Sequence, residues 1–301
     1  NEGSIAGNAL ISCTIPETTV TPETIIPETI VVSENERWCS EIDGTFNTLT
    51  CTLTGDYIIN SGETLVIPED ITLLIINEAT LTNNGKIINY GTLISQATIN
   101  NEYILTNYGT LTNEYILTNY GTIDNNGTLT NLLGATIDNN GTIDNNNGGT
   151  IDNNGTISLN NNGTLNNISP ATINNEYVLM NSGTLTNDGT LTNEYILTNN
   201  GGTIDNNNNG TIINNGTIDN NNGGTINNNG TISLNNNGTL NNNSQATINN
   251  EYVLMNYGTL TNLLGATINN NGTINNIAGT VDNYGTLTNL LGATIDNNGT
   301  I

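Results

Sequence analysis

An aliphatic residue returns every six positions between Leu81 and Leu129, at Leu81, Ile87, Leu93, Ile99, Leu105, Leu111, Leu117, Ile123 and Leu129. Around each lies the same phrase, Gly-Thr-(Ile/Leu)-x-Asn-x, as in Gly109-Thr110-Leu111-Thr112-Asn113-Glu114. A unit this short, with one or two apolar side chains, has nothing of its own to bury its face against. Stacked copies do, and a short fixed period is the sequence mark of a solenoid. After Leu129 the step between anchors varies among six, seven and eight, through Ile137, Ile143 and Ile151 and onward to Ile301. The added residues fall at turns such as Asn147-Gly148-Gly149, Asn207-Asn208-Asn209 and Leu132-Leu133-Gly134. Near-copies 75 residues apart, Ile157-Ser158-Leu159-Asn160-Asn161-Asn162-Gly163 and Ile232-Ser233-Leu234-Asn235-Asn236-Asn237-Gly238, mark an internal duplication.

Alternate residues of a strand share a face, so the Asn two residues after each anchor points inward with it: Asn107 with Leu105, Asn113 with Leu111, Asn125 with Ile123. A buried amide costs a few kcal/mol unless it is hydrogen-bonded. Copies above and below would supply those bonds as an asparagine ladder. Each fully buried anchor contributes roughly 1.5–3 kcal/mol. Asn-Gly pairs read as tight turns, where glycine permits positive φ. Three units make a coil of about 18 to 22 residues, which predicts an all-β, triangular parallel β-helix (a β-solenoid) with three short strands per coil, about 4.8 Å apart. Two units per coil would leave a thinner core. Tyr90 and Tyr108 lie 18 residues apart and would stack in an 18-residue coil. The tyrosines of five Asn-Glu-Tyr triplets (Tyr103, Tyr115, Tyr177, Tyr195, Tyr252) belong at outer corners, because a ring does not fit inside so narrow a coil.

Acidic residues number 27 against two cations, Arg37 and Lys86, and there is no histidine. That excludes nucleic acid and anionic membranes, whose phosphates need clustered Lys and Arg. No apolar run is long enough to span a bilayer. The chain opens at Asn1 with no basic-plus-apolar leader, so the numbering is expected to start after a removed signal peptide. Cys13, Cys39 and Cys51 match no zinc spacing, and an oxidising compartment with one intrachain disulfide is expected. Asp43-Gly44 reads as a hairpin turn; a tight turn there sets Thr48, not Cys51, opposite Cys39, so a Cys39–Cys51 bridge needs a longer loop and Cys13 competes for it.

The organisation follows. Residues 1–35 form an extended Thr/Pro arm, punctuated by Pro16, Pro22 and Pro27. Its β-branched residues Ile25, Ile26, Ile30, Val31 and Val32 suit either a linker or a strand donated to a neighbouring subunit. Residues 36–55 form a small β cap holding Trp38, Phe46 and two cysteines, and residues 56–301 form the solenoid. The segment Asp56 to Asn77, DYIINSGETLVIPEDITLLIIN, resembles the opening coil of secreted right-handed parallel β-helix proteins. The Gly-Thr-Leu-Thr-Asn repeats after it resemble filamentous-haemagglutinin-type adhesins and extracellular fibre proteins. The resemblance covers residues 56–301 and implies a right-handed coil and an extracellular or cell-surface location.

Catalysis has little to work with: Lys86 is the solenoid's only cation, and nothing in the sequence sets Asp138, Asp144, Asp152 or Asp205 in one cleft. No cofactor is expected. Outward Asp residues suit Ca²⁺ chemically, but the repeated Gly-Gly-x-Gly-x-Asp pattern of calcium-binding β-rolls is missing. Thr-x-Thr pairs (Thr110/Thr112, Thr128/Thr130, Thr184/Thr186, Thr190/Thr192) raise ice binding as a minor alternative, with no long regular Thr ladder expected on one wall. Asn-x-Thr/Ser sequons arise at Asn126, Asn140, Asn154, Asn162, Asn167, Asn209, Asn215, Asn229, Asn237, Asn242, Asn271 and Asn298 wherever the repeat's Thr follows an Asn-Gly turn, with some others. The sequence reaches Ile301 inside a repeat without a polar cap, so either the chain continues beyond it or another subunit covers this coil, and in the second case head-to-tail self-assembly through the arm is expected. The function expected is therefore a subunit of an extracellular filament or surface fibre. A monomeric adhesin stalk that contacts glycans or other cell-surface components is the alternative.

Overall fold

The computed structural model describes residues 34–207, 210–235 and 238–301. Most of the expected arm, with Cys13, Ile25, Ile26, Ile30, Val31 and Val32, lies outside them. Residues 33–301 form one compact unit. It is a β-solenoid with three strands per coil, arranged as three sheets of 14, 12 and 12 strands in which every third strand in sequence is a neighbour. We call these the first, second and third walls.

The repeat writes each strand directly. In Thr110–Asn113 the Leu and Asn are buried and the two Thr are half-exposed, and the same in-out alternation runs through nearly all the strands. Leu111 stacks in register between Leu93 and Leu129 on the first wall, and Asn113 between Ser95 and Asn131. The other anchors stack likewise: Leu81 under Ile99 under Leu117 on the second wall, Ile87 under Leu105 under Ile123 on the third. All nine anchors from Leu81 to Leu129 are fully buried.

The amides beside them form three columns. Asn107 Nδ2 donates to Asn125 Oδ1 one coil on at 2.8 Å, and also to the Thr128 carbonyl at 2.9 Å. Both amide hydrogens are thereby used across the coil boundary. Asn125 repeats the arrangement to Asn145 and Thr150. The third-wall column is continuous from Asn89 to Asn289. The other two each carry one interruption, Leu159 in the second wall and Leu234 in the first. Above each leucine the column restarts, with Asn181 and Asn256 accepting from the backbone N–H of Gly183 and Gly258 instead. At the base of the columns lie Ile59, Ile67 and Ser95; the first amides above them, Asn83, Asn89 and Asn113, have unpartnered Oδ1 atoms.

The stack begins differently from the expected β cap. Helix α1 (Glu34–Glu41) comes first, followed by an antiparallel hairpin, β1 (Thr45–Asn47) and β2 (Thr50–Leu53). Asp43-Gly44 is the end of the helix, not a hairpin turn: Asp43 has φ 58°, and Gly44 N–H donates to the Cys39 carbonyl at 2.9 Å. The hairpin turns instead at Thr48-Leu49, with Thr48 at φ 59°. The helix is only eight residues long. A helix that short is marginal alone; its Trp38, and Ile42 just after its end, pack on the solenoid core. Strands β3 (Tyr57–Ile59) and β4 (Thr64–Ile67) then complete the first coil with β2, and β5 (Thr72–Ile75), pairing in parallel with β2, opens the second.

Corner glycines are required by close approach. A Cβ on Gly109 would run into the Gly91 carbonyl of the coil below. Gly109→Ala should therefore destabilise by about 1–3 kcal/mol. Asn125→Ala should cost a similar amount, about 1–3 kcal/mol, because it strands the Asn107 donor and the Asn145 acceptor. The exposed corner residue Asn84 has a neutral side chain that makes no such bond, and Asn84→Ala should change stability by less than about 0.5 kcal/mol. Chemical denaturation of the three variants against the parent checks the ranking.

Candidate functional site

The outward positions decide what the walls offer. The first residue of each strand is nearly always Thr, and on the first wall Thr50, Thr72, Thr92, Thr110 and Thr128 stack in register, continuing to Thr231. The third wall carries a similar file from Thr122 to Thr286. A long Thr ladder therefore does form, contrary to the sequence expectation, which looked for Thr-x-Thr and overlooked the single file. The second outward file on the first wall is irregular: beside Thr112 and Thr130 stand Ile94 and Asp152. A two-file Thr array is confined to a few rungs.

Four of the wall carboxylates are partnered by amides one coil on. Asn166 donates to Asp144 and Asn174 to Asp152, each at 2.8 Å; Asn227 donates to Asp205 at 2.7 Å and Asn241 to Asp219 at 2.8 Å. Asp138, Asp144 and Asp152 lie on the second, third and first walls respectively, so they share no cleft. Asp205 is on the third wall with Asp144, but the rungs of Asn166 and Thr186 separate them. Among the described residues no group of three or more Asp, Glu or Cys side chains is placed to hold a metal ion, and no helix is long and apolar enough to cross a membrane.

The corners carry the larger exposed groups, and these are spread around the axis. The phrase Asn-Leu-Leu-Gly-Ala-Thr-Ile occurs at residues 131–137, 262–268 and 289–295. It turns from first to second wall, then from second to third, then from third to first. Leu133, Leu264 and Leu291, all exposed, thus point from three different corners. The 75-residue duplication behaves the same way: strand Thr156–Leu159 is on the second wall, and its copy Thr231–Leu234 is on the first. Tyrosines occupy all three corners. Tyr90 stacks on Tyr108, as the 18-residue spacing predicts, and Tyr177 stacks on Tyr195, also 18 residues apart and at an outer corner as expected.

At the base, Cys39 and Cys51 are disulfide-bonded and buried. The bridge is reached through the helix end and the hairpin register, in which Phe46 faces Cys51. Gly44 passes directly beneath it, since a Cβ there would stand 2.5 Å from Cys51 Sγ. Trp38, Ile42, Tyr57, Ile59 and Leu65 line a groove of about 470 Å³ between α1 and the first coil. Burial, with Glu63, Asp43 and Glu41 nearby, pushes the Tyr57 phenol above its ordinary value. Of the sequon residues, Asn162, Asn271 and Asn298 are exposed, and Asn126, Asn140, Asn154, Asn215 and Asn229 are half-exposed. Asn167 and Asn242 are buried members of the amide columns, closed to modification in the folded chain. Asn209 and Asn237 lie outside the described residues, and Ile301 is exposed.

Asp124 and Asp144 are stacked neighbours on the third wall. Burial first, and then the Asp144 charge, raise the Asp124 carboxyl above its ordinary 3.8, with Lys86 opposing. A raised folded-state value means that the unfolded chain gives up this proton first, so stability falls as pH rises from the ordinary carboxylate value through the folded one. Asp124→Asn should therefore raise the thermal midpoint at neutral pH, with the gain vanishing below the carboxylate range; melting curves across pH check this.

No protein family's sequence profile matches the chain, and no curated protein matches it in sequence. Among solved structures, that of a TibC-catalyzed hyper-glycosylated TibA fragment aligns over 84% of this chain and 96% of that one, at 18% identity and a TM-score of 0.40.

Proposed function

We propose that the chain is a structural rod of the cell surface or of an extracellular fibre, without catalytic activity. The carrying observation is the turned copy. The duplicated block returns on the neighbouring wall, and the Leu-Leu-Gly-Ala phrase returns on each corner in turn. Duplication of this kind lengthens a rod without extending any one face. A module built around a single binding face would repeat in whole coils, so that copied side chains lined up. The disulfide Cys39–Cys51 supports an oxidising, extracellular setting. The strong negative charge supports a rod that repels its copies side to side.

End-on assembly is the finer form of the reading. In every column the amide donors face one direction along the axis and the acceptors face the other. Only a head-to-tail neighbour continues such columns, and contacts of that kind build open filaments. The monomeric adhesin stalk with glycan contacts is the competing form. Twelve steps between parallel strands on the first wall give a rod about 58 Å long at about 4.8 Å per step. Electron microscopy and sedimentation of the full chain should show rods at least this long that join end to end as concentration rises. Deleting residues 1–35 should abolish the joining. Particles that stay monodisperse at every concentration and bind immobilised glycans would favour the adhesin form instead.

A further inference from the structure

Two pairs of tyrosines are held as if for coupling. The rings of Tyr90 and Tyr108 stack with centroids 5.2 Å apart and planes 8° from parallel; those of Tyr177 and Tyr195 stack at 5.5 Å and 3°. All four are exposed by about half, so a solvent-borne oxidant reaches them. The backbone fixes the pairing. Asn89 and Asn107, which precede the first pair, are register partners, and so are Val178 and Ile196, which follow the second. Within each pair the two rings therefore leave their corners from equivalent positions, one coil apart, pointing the same way. Tyr103 and Tyr252 are as exposed but have glycine one coil above and below, and among the described residues no ring stacks on them.

We infer that Tyr90–Tyr108 and Tyr177–Tyr195 are sites of intrachain dityrosine formation, taking a peroxide through a one-electron oxidant such as a peroxidase. Each phenol loses one electron and its phenolic proton. The two radicals join through the ring carbons ortho to oxygen, forming one carbon–carbon bond. The ortho hydrogens then return to the oxygens and restore both phenols, and the peroxide accepts the two electrons and two protons to give two waters. The product is lighter by two hydrogens and ties adjacent coils together on the outside of the solenoid. The amide columns already hold the inside of the same boundary. The inference stands whether the rod is a fibre subunit or a monomeric stalk, since it rests on ring geometry within one molecule.

The test oxidises the purified full chain, at high dilution, with peroxidase and hydrogen peroxide. Glu-specific proteolysis then separates the partners, because Glu102 lies between Tyr90 and Tyr108, and Glu194 between Tyr177 and Tyr195. Mass spectrometry should find these two pairs joined, each lacking two hydrogens, together with dityrosine fluorescence. Tyr108→Phe and Tyr195→Phe keep a stacked ring but cannot form a phenoxyl radical; each should lose its own cross-linked peptide, and the double variant nearly all the fluorescence. Coupling spread evenly over the exposed tyrosines, coupling chiefly between molecules, or full fluorescence in the double variant would overturn the assignment.

Discussion

Everything in this fold depends on a buried primary amide that the next coil must satisfy. The Asn that ends most strands has left water, and its hydrogens go to the following coil, as when Asn119 bonds to Asn139 Oδ1 and the Thr142 carbonyl. An apolar column would tolerate sliding, since one aliphatic contact resembles the next. An amide column does not: a one-residue slip turns the Asn and the anchor outward together and leaves buried carbonyls unmatched. The aliphatic anchors supply the driving force for burial. The amides decide which stacking is allowed.

The same geometry explains why the repeat length can wander. Asn107 reaches the Thr128 carbonyl 21 residues on, and Asn125 reaches the Thr150 carbonyl 25 residues on. The amide recognises the start of the next strand and is indifferent to the length of the corner before it. Extra residues are looped out through positive-φ positions such as Asn147 and Gly148. The columns survive while the perimeter varies.

That local logic made most of the solenoid readable from its residues. The anchors from Leu81 to Leu129 and the inward Asn107, Asn113 and Asn125 follow from period and alternation alone, because each position repeats its environment. Helix α1 was not readable. It is eight residues without periodicity, held by Trp38, Ile42 and a disulfide whose partners meet only through the hairpin register. Asp43-Gly44 has the chemistry of either a hairpin turn or a helix end, and its tertiary surroundings chose the latter. The surface was partly hidden for another reason. Wall identity depends on counting corners, and variable corner lengths spoil that count. Hence the Thr files and the turned copies emerge only when strands are assigned to walls. The sequons at Asn167 and Asn242 show the converse, a surface motif written by chance into the core.

The two leucine interruptions show how much the columns share their work. Leu159 breaks the second-wall column between Asn139 and Asn181, and at that height Asn145 still bonds to Asn167 and Asn153 to Asn175 on the other walls. Leu234 breaks the first-wall column, and there Asn220–Asn242 and Asn228–Asn250 persist. Two amide bonds therefore span the boundary at both breaks, and the duplication that copied the leucine also moved it to a different column. Had the block been copied by whole coils, both defects would have fallen in one file and weakened one side of the rod. Turning the copy by one wall distributes them, which favours a role in which resistance to bending or unravelling matters equally in every direction around the axis.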